Sequence, residues 1–201
     1  MYTETEIKLH VKDLDMLAQR LKILGATLIS PRTHEMNLRF DTPAETLSTQ
    51  ARVLRLRQDA QSKLTFKGPT ESKDGVASRE EIEFTVGDFD AAQRFLEALG
   101  YNRVATYEKY RTTYEFDGFH IMLDEMPYGN FIEIEGEDPA AIRALAVTLG
   151  LDVTVAVKMS YLEIFDLLRK AENLAANDLI FDDFDNKVFD LVNISILSAD
   201  S

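Results

Sequence analysis

Glu4, Glu6 and Lys8 occupy every second position of the stretch TETEIKLH, near the start of a 201-residue chain. Successive side chains of a β-strand point to opposite faces, so a strand here has one face charged with both signs. Its other face, with Ile7 and Leu9, is largely apolar. The charged face is either the solvated side of an ordinary strand or the lining of a site that binds a charged ligand.

The same alternation recurs along the chain. Eight segments bounded by turn signals are predicted to be strands: 2–11, 34–41, 51–58, 62–67, 78–85, 107–116, 119–125 and 130–136. A period of two places the following residues on one face of these strands: Glu4, Glu6, Lys8, Arg39, Asp41, Arg55, Arg57, Thr65, Lys67, Arg79, Glu81, Glu83, Lys109, Arg111, Thr113, His120, Met122, Asp124, Glu133 and Glu135. The opposite faces carry mainly leucine, isoleucine, phenylalanine and tyrosine.

Helical periodicity at 13–24, 88–99, 139–149 and 159–175 indicates amphipathic helices, whose apolar faces need an apolar surface to cover. If these helices pack on the apolar faces of the strands, the charged faces must point inward. A solvated face would carry many serine, threonine, asparagine, glutamine and lysine residues, whereas this one repeats arginine, lysine and glutamate in strand after strand. The sequence therefore predicts an α+β fold with one large antiparallel sheet or barrel, charged inside and covered by helices outside.

A charged interior must contain water and balance its own charges, because an isolated ion in a low dielectric is very unfavourable. Crowded carboxylates repel one another unless they are protonated or neutralised, and hard divalent cations bound through oxygen usually neutralise them. Arginine and lysine together with such carboxylates are typical of polyphosphate sites. We therefore expect the ligand to be a metal–polyphosphate.

The composition argues against several other classes of protein. The formal net charge of −13 argues against a protein that binds nucleic acid through its overall field. No apolar run approaches the ~18 residues of a membrane span, and the charged N-terminus does not resemble a secretory signal. The absence of cysteine excludes disulfides, thiolate zinc sites and a catalytic thiol. We predict a cytoplasmic protein with no nucleic-acid and no membrane partner.

An internal repeat relates two parts of the chain. Residues 6–25 (EIKLHVKDLDMLAQRLKILG) align without a gap on 81–100 (EIEFTVGDFDAAQRFLEALG), and each copy is followed by a Thr-x-Glu strand. We interpret this as a duplicated strand–helix–strand unit, although two amphipathic helices can also resemble each other by chance. A duplication predicts a barrel with two pseudo-equivalent halves.

The C-terminal tail at 177–200 differs from the rest because it mixes clustered aspartates with apolar residues. It is an extra packed helix, an oligomer contact or a partly disordered segment. We favour a packed or partner-bound helix, because its phenylalanines and leucines are poor residues to leave in water. For the same reason a homodimer is plausible.

The order of the motifs resembles one known family. Glu4-Thr-Glu6-Ile-Lys8 matches the E-x-E-x-K signature that opens the CYTH domain, whose members are triphosphate tunnel metalloenzymes. Further matching motifs follow in order within 3–165: VLRLR, LTFKGP, SREEIEF, EKYRTTYEF, IMLDEMPYGNFIEIEG and KMSYLEI. The resemblance implies an eight-stranded antiparallel β-barrel, the triphosphate tunnel, with helices packed outside. It implies a CYTH triphosphate tunnel domain at 1–175, followed by a C-terminal extension at 176–201 that we expect to be helical.

The resemblance also implies roles for individual residues. One or two Mg²⁺ or Mn²⁺ ions would be held by acidic residues: Glu4, Glu6, Glu81, Asp124, Glu133 and Glu135. The triphosphate-containing small molecule would be bound by cations: Lys8, Arg39, Arg55, Arg57, Lys67, Arg79, Lys109, Arg111 and Lys158. The catalytic set would be Glu4, Glu6, Lys8, Glu133 and Glu135.

Two of these lysines have more particular expected roles. Lys8 would orient the triphosphate or assist proton transfer, and Lys158, expected on a helix near one mouth, would close the site. Any one of the charged residues could instead balance a neighbouring charge, and this alternative is strongest for Arg39, Arg79, Glu83 and Lys158. His34 and His120 are expected to be structural.

The reaction is open among three alternatives. We expect metal-dependent hydrolysis of inorganic triphosphate, thiamine triphosphate or a nucleoside triphosphate, because Glu133 and Glu135 beside the first glutamate pair suit a two-metal hydrolytic site. The first alternative is a class IV-type adenylate cyclase, in which the ribose 3′-oxygen of ATP attacks the α-phosphorus and pyrophosphate leaves. The second is a non-catalytic triphosphate- or polyphosphate-binding module, which would not need so many acids.

Overall fold

The fold is an antiparallel sheet with helices on its outer side. A computed structural model describes residues 3–184 and 187–200. The strands are β1 (Thr3–Val11), β2 (Thr27–Asp41), β3 (Val53–Gln58), β4 (Ser62–Lys67), β5 (Glu71–Lys73), β6 (Val76–Val86), β7 (Asn102–Phe116), β8 (Phe119–Met126) and β9 (Gly129–Glu135). The α-helices are α1 (Leu14–Leu24), α2 (Thr46–Thr49), α3 (Phe89–Ala98), α4 (Pro139–Thr148) and α5 (Tyr161–Glu172).

The predicted α+β class and the eight predicted strands are confirmed, with differences at their ends. β2 and β7 are each 15 residues long, so both extend beyond their predicted segments. The short strand β5 was not predicted, because three residues are too few to show an alternating pattern. Helix α5 begins at Tyr161 because Ser160 and Glu163 form a capping box, in which each side chain bonds the other's backbone N–H.

The sheet closes into a ring. Its strand order is β1-β9-β8-β7-β2-β3-β4-β6-β5, and β1 also pairs with β6. This last pairing places Glu4 directly opposite Arg79 and leaves β5 outside the ring, attached only to β6 among the described strands. Eight strands therefore surround a common interior, and the side chains of one face of each strand must share it.

The internal repeat coincides with a symmetry of this ring. The runs β2-β3-β4-β6 and β7-β8-β9-β1 have the same connectivity, and α1 and α3 begin and end alike. Asp13 caps α1 and Asp88 caps α3, while Gly25 and Gly100 follow the two helices with positive φ. The ring therefore has two pseudo-equivalent halves, as the duplicated unit predicts.

The hydrophobic core lies outside the ring, between the strands and the helices. Ile7, Leu9, Ile132 and Ile134 are fully buried on the outer faces of β1 and β9, in one cluster with residues of α1 and α4. A second cluster places α3 over β2 and β3. Because the outer faces of the strands form the core, their opposite faces line the interior, as the alternation predicts.

The C-terminal segment packs on the ring and on α5. Leu179 exchanges backbone hydrogen bonds with β7, and the Ala199 N–H donates to the carbonyl of His10 on β1. In its described residues the segment contains two short 3-10 helices, Phe181–Phe184 and Leu191–Ile194, and not the single packed helix that the sequence favours. Phe184 and Leu191 are buried within the chain itself, so these two residues give no reason to expect a homodimer.

The described helices are all short. None of them is both long enough and apolar enough to span a membrane. The longest, α5, has 12 residues.

Candidate active site

A cavity of about 820 Å³ occupies the interior of the ring. It is lined by thirteen of the fifteen predicted site residues: Glu4, Glu6, Lys8, Arg39, Arg55, Arg57, Lys67, Arg79, Glu81, Lys109, Arg111, Glu133 and Glu135. The inward orientation of the charged faces is therefore confirmed. The two exceptions, Asp124 and Lys158, lie beside this cavity and are described below.

The cavity is nearly balanced in charge although the whole chain is strongly acidic. Nine lysines and arginines and eight glutamates and aspartates line it, whereas the chain as a whole carries a formal net charge of −13. Cations are thus concentrated inside the ring, and the excess of negative charge lies elsewhere on the protein. A concentration of cations in a partly enclosed space favours an anionic ligand.

Glu4 is held by two cations, one on the adjacent strand β6 and one on β4, the next strand along the ring. Lys67 Nζ lies 2.7 and 2.8 Å from its two carboxylate oxygens, and Arg79 Nε lies 2.9 Å from one of them. Burial raises the pKa of Glu4, but Lys67 and Arg79 outweigh it and lower the pKa to about 2. Lys67 also lies 3.1 Å from Glu81, so a single lysine joins two of the predicted metal ligands.

Glu6 has the opposite electrostatic environment. Burial, followed by the nearby carboxylates of Glu133 and Glu4, raises its pKa to about 7. Its nearest ion-pair partner is Arg79, at 3.9 Å, which is too far for a hydrogen bond. The strand register also brings Glu135 directly opposite Glu6 on β9. This end of β1 is therefore short of positive charge.

Asp124 is the centre of a buried hydrogen-bond network. Its carboxylate is fully buried and accepts from Lys109 Nζ at 3.0 Å, from Arg111 Nε at 2.6 Å and Nη2 at 2.5 Å, and from the Tyr161 hydroxyl at 2.8 Å. It does not reach the cavity surface, because these donors lie between it and the cavity. The expectation that Asp124 binds metal is not favoured by this geometry, which instead makes it a support for Lys109 and Arg111.

Lys8 lies between an acid and an aromatic ring. Its Nζ is 3.2 Å from Glu133 and 4.3 Å from the centre of the Tyr161 ring. Arg111 Nη2 lies 2.5 Å from the other oxygen of Glu133. Burial raises the pKa of Glu133, but Lys8 and Arg111 outweigh it and hold that pKa well below its ordinary value. Glu133 is therefore ionised and shared by two cations.

Arginines line a further part of the wall. Arg55 and Arg57 both lie 3.7 Å from Glu83, a distance at which the pairs are loose, and Arg57 Nε also pairs with Asp59 at 3.1 Å. Among the described residues, no carboxylate lies within 4 Å of Arg39, and the buried Nε atoms of Arg39 and Arg55 have no hydrogen-bond partner. Buried guanidinium groups with unused donors are unfavourable unless an anion satisfies them.

Lys158 occupies a different position from the one expected. It lies in the loop before α5, not on a helix, since α5 begins three residues later at Tyr161. Its side chain is exposed and lines a small side pocket of about 100 Å³ behind Glu6, Lys8 and Arg79. The loop itself approaches the cavity, because Lys8 Nζ donates to the carbonyl of Met159 at 3.4 Å.

Among the cavity residues that the sequence interpretation left out are Glu35 and Tyr107. Glu35 is buried, 3.5 Å from Lys109, and although burial raises its pKa, Lys109 and Arg111 lower it to about 2. The Tyr107 hydroxyl lies 3.4 Å from Arg55. Glu35 and Tyr107 lie an even number of positions from the inward-facing residues of their own strands, so the alternating pattern could have identified them.

The donor set of the cavity fits a divalent metal, although the ligands are not yet gathered. Within residues 3–184 and 187–200, no three acidic or histidine side chains already converge on one point, because many of their oxygens accept hydrogen bonds from lysine and arginine. Hard cations prefer carboxylate oxygen, and the pKa of about 7 for Glu6 reflects repulsion that a cation would relieve. The Glu6 end of the cavity therefore suits a hard divalent cation.

Comparison with known proteins gives a family and two similar sequences. The CYTH domain family model matches residues 2–149. The adenylate cyclase CyaB of Aeromonas hydrophila is 28% identical over 171 residues, which cover 79% of this chain and 86% of that protein. A Methanocaldococcus jannaschii protein provisionally named an adenylate cyclase is 28% identical over 134 residues, covering 66% of this chain and 75% of that protein.

Solved structures share the fold. A Vibrio parahaemolyticus protein provisionally named an adenylate cyclase superposes with a TM-score of 0.72 at 27% identity, covering 81% of this chain and 97% of that one. A Hippeastrum protein, also provisionally named an adenylyl cyclase and described as having a dominant triphosphatase activity, superposes with a TM-score of 0.61 at 21% identity. That match covers 81% of this chain and 95% of the other.

Proposed function

Because this chain belongs to the CYTH domain family, we propose that it is a divalent-metal-dependent triphosphatase. Its ring of eight antiparallel strands then serves as the triphosphate tunnel, a β-barrel with the substrate inside. The substrate class is a triphosphate: inorganic triphosphate, thiamine triphosphate or a nucleoside triphosphate. The proposal keeps the tunnel domain at 1–175, and treats 176–201 as an extension that packs on it.

One observation carries this proposal: unused cationic donors and crowded carboxylates line the same cavity. Arg39 and Arg55 have buried donors without a partner, which an anionic phosphate would satisfy. Glu6 has a pKa of about 7 because acids crowd it, and a divalent cation would relieve that repulsion. A metal–triphosphate complex supplies both charges at once.

In this proposal, two groups of cations bind the phosphates from different parts of the cavity wall. Arg39, Arg55 and Arg57 bind phosphate oxygens on one part of the wall, and Lys67, Arg79, Lys109 and Arg111 bind from the other strands. Lys109 and Arg111 are held in place by Asp124, so little ordering of these two side chains remains for the bound state. Preorganised positive charge of this kind stabilises the charge that develops during phosphoryl transfer.

The carboxylates Glu4, Glu6, Glu81, Glu133 and Glu135 are the residues that would hold Mg²⁺ or Mn²⁺. A bound divalent ion supplies neutralising charge at the phosphates and an activated water. Lys8, fixed between Glu133 and Tyr161, orients the triphosphate at the same end of the cavity. Lys158 lines the side pocket together with Glu6, Lys8 and Arg79, and we keep it as a residue that would close this end of the site.

Adenylate cyclase activity is the second candidate, favoured by the name of the CyaB relative at 28% identity. Both reactions need the same neutralisation of phosphate charge, and only the attacking oxygen differs. We place hydrolysis first because charged side chains outnumber all others in the cavity lining, which suits the phosphates more than a base. A non-catalytic triphosphate-binding module is the third candidate.

Product analysis separates the three candidates. The purified protein is incubated with Mg²⁺ or Mn²⁺ and, separately, with inorganic triphosphate, thiamine triphosphate or ATP. Orthophosphate release supports hydrolysis, whereas cyclic AMP with pyrophosphate from ATP would establish the cyclase instead. Tight binding without turnover would support the non-catalytic binding module.

A pair of variants tests whether turnover takes place in the cavity. Glu6→Ala should abolish metal-dependent turnover, because it removes an acid from the most crowded group of carboxylates. Glu97→Ala is the matched control, since Glu97 is an exposed residue on α3. Full activity of a folded Glu6→Ala protein would exclude the proposed metal site.

A further inference from the structure

Tyr161 lies where helix α5 meets the cavity wall. Its hydroxyl donates to the Asp124 carboxylate at 2.8 Å, and its ring centre lies 4.3 Å from Lys8 Nζ and 5.5 Å from Lys109 Nζ. The side chain therefore contacts three charged groups through two kinds of interaction, a hydrogen bond and cation–π attraction. It is also part of the cavity lining.

The hydrogen bond from Tyr161 affects how strongly Asp124 holds its cations. Oδ2 of Asp124 accepts from Tyr161, from Lys109 and from Arg111, so the three donors share one oxygen. A phosphate that enters the cavity must compete with Asp124 for Lys109 and Arg111. Without the Tyr161 hydroxyl, the full charge of this buried carboxylate would act on the two cations and draw them away from the ligand.

The position of Tyr161 is fixed independently of any ligand. Its backbone carbonyl accepts from the Tyr128 hydroxyl at 2.9 Å, and its ring packs edge-on against Phe131 at 5.2 Å. It is the first residue of α5, where the capping box of Ser160 and Glu163 sets the start of the helix. A rigid support of this kind can hold flexible lysine side chains in one arrangement.

We propose that Tyr161 is a positioning residue for the phosphate-binding cations. Its hydroxyl shares Asp124 with Lys109 and Arg111, and its ring holds Lys8 and Lys109 near the cavity wall. The inference rests on the proposed function, because it concerns the same triphosphate site. It adds the contribution of α5, which lies beyond residues 2–149 that match the family model.

Two tyrosine-to-phenylalanine variants of the full chain test the inference. Tyr161→Phe keeps the ring and removes only the hydroxyl bond to Asp124. Tyr114→Phe is the control, because Tyr114 is also buried but lies in the core cluster outside the ring. Binding of inorganic triphosphate is measured by calorimetry with EDTA present, so that the substrate is not turned over.

We expect Tyr161→Phe to raise the Kd for triphosphate roughly tenfold, and Tyr114→Phe to change it less than about twofold. Both variants should remain folded, since each keeps its buried aromatic ring and loses only a hydroxyl group. With metal and a hydrolysed substrate, Tyr161→Phe should raise KM more than it lowers kcat, because it weakens binding before and during the reaction alike.

The outcomes separate this inference from the function on which it rests. If the wild-type chain binds triphosphate and both variants bind it equally well, Tyr161 has only a structural role and the inference is wrong. If the wild-type chain neither binds triphosphate in EDTA nor hydrolyses it with Mg²⁺ or Mn²⁺, the proposed function fails and the inference fails with it. If Kd rises in Tyr161→Phe and not in the control variant, the result supports both the positioning role of Tyr161 and the proposed function.

Discussion

At the scale of single residues, neighbouring acids of the cavity have opposite proton affinities. Glu4 and Glu6 are two positions apart on the same strand, yet the pKa of Glu4 is lowered to about 2 and that of Glu6 is raised to about 7. The difference arises because Lys67 and Arg79 both contact Glu4, whereas Glu6 lies beside other carboxylates. Such divergence of neighbouring groups is typical of functional sites, where it prepares one acid for a cation.

The raised pKa of Glu6 predicts a pH-dependent gain in stability for Glu6→Gln. In the folded state the pKa is about 7 against an ordinary value of 4.5, so protonated Glu6 stabilises the fold below pH 4.5. This contribution is lost as the pH rises through about 7, and it amounts to at most about 3 kcal/mol. Glutamine resembles the protonated form, so the variant should be more stable than wild type at pH 8.

Denaturant unfolding in EDTA at pH 4 and pH 8 measures this difference. Glu6→Gln and wild type should unfold at nearly the same denaturant concentration at pH 4, and the variant should unfold later at pH 8. Saturating Mg²⁺ at pH 8 should reduce the difference, because only wild type gains a ligand for the ion. If Glu6→Gln and wild type unfolded at the same denaturant concentration at both pH values, Glu6 would not be crowded by acids.

Arg57→Ala should chiefly weaken substrate binding. Arg57 Nε pairs with Asp59 at 3.1 Å, but its Nη2 reaches Glu83 only at 3.7 Å, so an incoming phosphate can take over the Nη2 donors. We expect KM to rise roughly tenfold or more while kcat changes less. Arg32→Ala is the control, because Arg32 forms a two-point ion pair with Glu125 outside the cavity. An unchanged KM in Arg57→Ala would count against its phosphate role.

Alternation alone could not resolve the surroundings of single residues. The period of two correctly places Lys109, Arg111 and Asp124 on the inner faces of their strands. It does not predict the register of β7 against β8. That register places Arg111 opposite Asp124, and the acid is covered by its own neighbours. The sequence therefore predicts which residues face the interior, and the pairing of strands decides which of them reach the ligand.

At the scale of secondary structure, α5 and the segment after it support the site from outside the ring. Phe184 is 6% exposed and packs edge-on against Phe165 of α5 at 5.6 Å. Because α5 begins with Tyr161, this packing helps to hold Asp124 and its cations. Elements beyond the family-matching region thus contribute to the wall of the cavity.

Phe184→Ala should therefore destabilise the protein substantially. Removing a buried phenylalanine costs about 3–5 kcal/mol, and the loss should appear as a lower denaturant midpoint. Phe95→Ala is the control. Phe95 of α3 is 62% exposed, so its replacement should lower the stability much less. Equal stability of the two variants would mean that the C-terminal segment does not pack on α5.

The elements differed in how well the sequence predicted them, for physical reasons. Helices α1 and α3 carry Asp caps and terminal glycines, so their positions follow from local signals. The ends of β2 and β7 are fixed by their pairing with each other, over registers that include bulges, and no local signal marks them. The C-terminal segment has no strong period, so its course depends on the surfaces on which it packs.

At the scale of the whole molecule, the ring gathers charges that are remote in sequence. The cavity lining runs from Glu4 to Leu162, and the closure of the ring by β1 and β6 brings the first strand beside the middle of the chain. The two halves are not covered alike, because Ile82 and Phe84 on β6 are about half exposed whereas Ile7 and Leu9 on β1 are buried. The repeat thus explains the ring, and the later helices explain its asymmetry.

This architecture predicts that triphosphate stabilises the whole fold. A ligand inside the ring contacts side chains from several strands, so it binds the folded chain and not the unfolded one. At a concentration one hundred times its Kd, it adds about 2.7 kcal/mol to the free energy of unfolding. For a domain of this size the expected rise in Tm is roughly 5–10 °C.

Thermal unfolding with inorganic triphosphate in EDTA measures the shift, and orthophosphate at matched ionic strength is the control. Triphosphate should raise Tm far more than orthophosphate, because a longer anion reaches the arginines and the Lys109–Arg111 pair together. The shift should shrink in Arg57→Ala, which removes one of the cavity cations without removing the ring. If orthophosphate raised Tm as much as triphosphate, the effect would be general screening of a chain with net charge −13, and the cavity would not be a triphosphate site.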